Sequence, residues 1–167
     1  MNRHVIILFI ALLPLRSIAF ALSHEEARKA FEGALEDENK TELLLDNLSG
    51  TLSDPVLIAY RAATEALMGK FSYLPWNKYS WCKQSMTTFR EAVAADPGNI
   101  EIRYLRIAIQ INLPSILNMS GDIVEDKKNI LQNLDKSNNP AQQNKIASFL
   151  LNNVACTDTE KFVLKKY

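Results

Sequence analysis

The chain has 167 residues, 19 basic against 19 acidic side chains, a formal net charge of zero, five glycines and two cysteines. That balance excludes a nucleic-acid binder working through counterion release, which wants a basic excess or stripe, and it offers little long-range steering toward an anionic membrane. The length suits one domain that buries roughly two-thirds of its unfolded surface and needs neither disulfide nor metal to fold.

Residues 1–21 combine a short basic start at Arg3, an apolar run from Val5 to Leu15 and the small-x-small triplet Ala19-Phe20-Ala21. This pattern predicts a secretory signal peptide cleaved after Ala21, with Arg16 its one atypical feature. A membrane anchor is the other reading, but a spanning helix wants about 20 apolar residues. Cleavage removes two basic residues and no acidic one, which leaves residues 22–167 two charges negative. The expectation is an exported chain, periplasmic or extracellular, with no membrane span after cleavage.

Ser23-His-Glu-Glu26 is a capping-box pattern and predicts a helix carrying Ala27, Ala30, Phe31 and Leu35 on one face. A polar turn at Glu36–Asn39 separates it from a short helix over Thr41–Leu48, stopped by Ser49-Gly50. Asp54-Pro55 then opens a helix to Lys70, because Asp accepts from first-turn N–H groups and Pro has no N–H to lose there. Its stripe is Leu57, Tyr60, Ala63, Thr64 and Leu67.

Phe71–Trp81 carries Phe71, Tyr73, Trp76, Tyr79 and Trp81 in eleven positions and reads as a long inter-helix loop. Tyr73, Trp76 and Tyr79 can be flat platforms for a sugar or peptide, or they can fold back to cover the end of the bundle. A helix over Ser80–Ala95 follows, with Trp81, Ser85, Phe89 and Ala92 at helical spacing, closed by Asp96-Pro-Gly-Asn99. Its successor, Ile100–Leu113, is apolar nearly all round and should be the central, buried helix. Asp122-Ile-Val-Glu125 opens another helix through Lys136, Asn139-Pro140 the next, and the capping box Thr157-Asp-Thr-Glu160 a short last one. No run alternates with period two, so a sheet is not expected.

Ser85-x-x-x-Phe89-x-x-Ala92-x-x-x-x-Pro97-x-Asn99 resembles the second helix and closing turn of a tetratricopeptide-type repeat. In physical terms Ser85 and Ala92 allow a paired helix to come close, Phe89 fills the gap and Pro97 ends the helix. Tyr60, Ala63, Thr64 and Leu67 can stand for the first helix of that unit, although Thr64 replaces the usual Gly. The resemblance covers residues 55–111; Arg103 and Arg106 depart from it, standing where apolar residues are normal. It implies an all-α fold of antiparallel helix pairs stacked as a short, degenerate, right-handed tetratricopeptide-like array. IEIRYLRIAIQINLPSIL, DIVEDKKNIL and ACTDTEK are in addition similar to a group of uncharacterised exported bacterial proteins that look helical and repeat-like, which implies a fold and no activity.

Catalytic apparatus is sparse. His24 is the one histidine beyond the leader, too little for a nucleophile–histidine arrangement or a His/Cys zinc site. The five glycines form no phosphate cradle, and no cofactor is expected. Cys82 and Cys156 can pair, which would stabilise by roughly 4 kcal/mol through chain entropy, or can stay two buried thiols. Glu25/Glu26 and Glu125/Asp126 fit capped helix starts, and Glu36/Asp37 a solvated turn. Arg103 and Arg106 can receive a carboxylate or peptide terminus, or can pair with acids such as Glu125 or Asp126. The function expected is a binding or scaffold module for a protein or peptide partner, not an enzyme. The alternative is a carboxylate-based hydrolase of envelope polymers, which needs two acids facing across a cleft.

Overall fold

The computed structural model describes residues 22–50 and 52–167. The expected signal peptide lies outside the described residues, and no described helix is long and apolar enough to cross a membrane. The described residues form eight α-helices and no strand: α1 His24–Ala34, α2 Glu38–Asn47, α3 Pro55–Phe71, α4 Pro75–Ala95, α5 Ile100–Gln110, α6 Ile123–Asn133, α7 Pro140–Asn153 and α8 Asp158–Leu164.

Local polar chemistry starts most of them. Ser23 and Glu26 close a reciprocal capping box on α1, and Thr157 and Glu160 do the same on α8. Asp54 Oδ1 accepts from the N–H groups of Val56 and Leu57 at 2.8 and 3.2 Å, with Pro55 in the first turn of α3. Asn99 caps α5 and Asn139 caps α7.

Three expectations are corrected. The solvated turn at Glu36 and Asp37 also starts a helix: the Asp37 side chain caps α2, which therefore begins at Glu38 rather than Thr41. The loop expected over Phe71–Trp81 shrinks to Ser72–Leu74, because α3 runs to Phe71 and α4 starts at Pro75 without any side-chain cap. Asp122 precedes α6 but makes no capping bond; its carboxylate accepts from Gln110 Nε2 at 2.8 Å instead.

The helices pack as pairs, α1 with α2, α3 with α4, α5 with α6 and α7 with α8. The α3–α4 pair has the most extensive contact, and at Gly69 the two helices come close: a Cβ there would stand 3.3 Å from the Lys78 carbonyl oxygen and 3.3 Å from Trp81 Cβ. Two apolar clusters result. One gathers Leu44, Leu57, Tyr60, Phe89, Ile102 and Leu105 among α1–α5. The other gathers Ile107, Ile130, Leu134, Ile146, Leu150 and Leu164 among α5–α8. Helix α5 contributes to both, so it is the central helix that its composition announces. It ends at Gln110, and residues 111–113 form a turn before Pro114 and a 3-10 turn at Ser115–Leu117. Asn118 then takes the left-handed conformation, φ 50°, that Asn tolerates better than most residues.

Candidate functional site

Arg103 and Arg106 lie three apart on α5, one turn of the same face, and both are buried. Their partner is Asp126 of α6, itself fully buried. Arg106 donates through Nε and Nη2 to the two Asp126 oxygens at 2.7 and 2.6 Å, and Arg103 Nη1 donates to Asp126 Oδ1 at 2.6 Å and to Glu125 at 2.8 Å. The remaining Arg103 donors, Nε and Nη2, bond the Pro97 carbonyl. Burial works against the Arg103 charge, but Asp126 and Glu125 outweigh it and hold the guanidinium above its ordinary value. Both arginines are thus taken up by the protein's own acids and the α4–α5 turn, and they clamp α5 to α6. They are not available to an outside carboxylate.

Two further buried acids escaped the sequence reading. Glu65 accepts from Thr88 at 2.7 Å, Gln84 at 3.0 Å and Arg61 at 3.2 Å, a polar tie across the α3–α4 pair. Glu101 accepts from Arg28 Nε and Nη2, each at 2.7 Å, and from the Tyr60 hydroxyl at 2.7 Å. Burial raises the Glu101 pKa, and the bonds from Arg28 and Tyr60 lower it by more, so the net direction is down. The one available signal was the spacing Asn99-x-Glu101, which puts an acid in the first turn of an apolar helix. Its partners lie in distant segments that no periodicity connects.

Glu101 sits at a cavity of about 220 Å³ together with Glu25 and Glu32. Each of these acids is tied to a cation: Glu25 to Arg28 and Lys29, Glu32 to Lys145, Glu101 to Arg28. Glu25 is held down first of all by its bond from Lys29. A general acid must hold its proton near neutral pH, so the lowered pKa values of Glu25 and Glu101 run the wrong way for that role. Among the described residues no group of three or more His, Cys, Asp or Glu is placed to hold a metal ion.

The aromatic segment goes the other way, outward. Tyr73 is 89% exposed and Trp76 65%, with Leu74 and Tyr79 also exposed. None of the three platform candidates folds back over the bundle. Tyr73 is in the α3–α4 turn, while Trp76 and Tyr79 are on the first two turns of α4. Tyr79 stands on one lip of a groove of about 460 Å³. The floor is Leu67 of α3, Cys82 of α4 and Ile109 of α5, and the opposite lip is Ile116 and Leu117 of the 3-10 turn. Ile116 is 90% exposed, a large apolar side chain held in water by the turn that carries it. Lys70 and Lys78 are the charged residues of the lining, and no acid lines it. Concave, mostly apolar surfaces with a few polar groups are the usual form of a binding site.

Cys82 and Cys156 are free thiols. Cys82 is buried in the groove floor, whereas Cys156 packs against the α5–α8 cluster, and burial pushes both thiols above their ordinary pKa. Comparison of the chain with family models, curated proteins and solved structures returns no match.

Proposed function

We propose that this protein is an exported helical binding module, its helix pairs stacked in a tetratricopeptide-like manner, that holds an apolar segment of a partner protein. One observation carries the reading: an apolar groove of about 460 Å³ with exposed hydrophobic lips, bounded by three helices and by no carboxylate. Exposed contiguous apolar surface is costly in a soluble chain and marks interaction sites. The stacking is supported by the consecutive pairing of the helices and by the burial of Ser85, Phe89 and Ala92 on the shared face. Export is supported by the composition of residues 1–21.

The test is site-directed photocrosslinking in the producing cell. A photoreactive residue at Ile116 is expected to give a discrete protein adduct, and the same residue at Val124, exposed but outside the groove, is expected to give none. Equal yields at the two positions, or none at Ile116, would count against the reading. The mass of the isolated protein should begin near Leu22, and a mass retaining residues 1–21 would remove the export part of the proposal.

A further inference from the structure

Resting on that reading, we infer that the occupant of the groove is an amphipathic helix with acidic residues flanking its apolar face. The secondary structure of the occupant follows from the walls. They are helices, whose backbone N–H and C=O groups are already bonded along the chain, and no strand edge is present among the described residues. A segment entering the groove finds side chains but no backbone partners, so its own peptide groups must be satisfied internally, as in a helix. A flat lipid surface meets the lips but does not reach the recessed floor at Leu67, Cys82 and Ile109.

The charge follows from the two stretches that build the groove. Residues 66–82 and 109–117, which hold the whole lining, contain Lys70 and Lys78 and no acid, in a chain with 19 acids overall. Lys70 is paired at 2.8 Å with Glu36, which lies outside the groove. Lys78 is different. Its Nζ is hydrogen-bonded only to the Lys70 carbonyl, at 3.5 Å, and pairs with no carboxylate among the described residues. It stands at the lip, one turn before Cys82, with a donor set that an incoming Asp or Glu completes. The salt-sensitive part of the affinity comes from this rim, and the apolar floor supplies the rest.

Two synthetic helical peptides of about 18 residues test this against the purified full chain. They share one leucine face and differ in carrying Glu or Lys at the flanking positions; binding is read by peptide fluorescence anisotropy. The Glu peptide should bind at least tenfold tighter than the Lys peptide in low salt, with most of that preference gone at high salt. Lys78→Glu, a change at an exposed position that leaves the core untouched, should cut the preference at least fivefold. Equal affinity for the two peptides overturns the acidic partner and leaves the groove reading standing. Binding of neither overturns both. Recruitment to phosphatidylglycerol vesicles with no binding of either peptide overturns the helical partner in favour of a lipid surface.

Discussion

At Asp126 two guanidinium groups converge on one carboxylate away from water. Removing one member of a buried ion cluster strands the others, which costs about 3–5 kcal/mol. Asp126→Ala should therefore lower the urea midpoint sharply, whereas Glu125→Ala, whose side chain is largely exposed, should cost under about 1 kcal/mol. Equal effects would mean that Asp126 does not anchor the cluster. Glu101 makes a pH-dependent contribution. Its folded pKa lies below the ordinary 4.5, so its stabilisation is fully present above about pH 4.5 and is lost as pH falls through the folded value. Glu101→Gln should flatten the fall of stability below that pH, and an unchanged acid limb would contradict the assignment. Glu125 and Asp126 were nameable in advance as partners for Arg103 and Arg106 because they open the next helix. Glu65 and Glu101 were not, because Thr88 and Arg28 approach them only once the helices have packed.

Among the elements, helix starts that rest on a local hydrogen bond were readable from the residues alone. Ser23/Glu26, Asp54-Pro55, Asn139-Pro140 and Thr157/Glu160 all cap where their chemistry says. The start of α4 was not, since Leu74 supplies no cap and the density of aromatics around Pro75 has the composition of a loop. At Asp122 the acid is correctly placed for a cap, yet tertiary packing turns its carboxylate to Gln110. The α3–α4 pair, which forms one wall of the groove, depends on the missing side chain at Gly69. Gly69→Leu should force the two helices apart and destabilise by about 1–3 kcal/mol, measured by urea unfolding, despite the better helix propensity of leucine. No loss of stability would show that the contact to Lys78 and Trp81 is not limiting.

At the scale of the molecule, α5 belongs to both apolar clusters, so neither half has a complete core without it. The domain should unfold as one unit. Both tryptophans lie in α4, so their fluorescence reports the first half while far-ultraviolet circular dichroism reports all the helices. Coincident urea transitions are expected by the two probes; separated midpoints would divide the domain in two. The all-helical architecture was legible from periodicity and caps. The groove was not, because it lies where α3, α4, α5 and the 3-10 turn meet, and no single segment displays it. Hydrogen exchange of the full chain, with and without the Glu-flanked peptide, tests the groove most directly. Slowed exchange confined to residues 66–82 and 109–117 is the result predicted. Protection mapping elsewhere, or no protection at saturating peptide, would contradict the groove as the binding site.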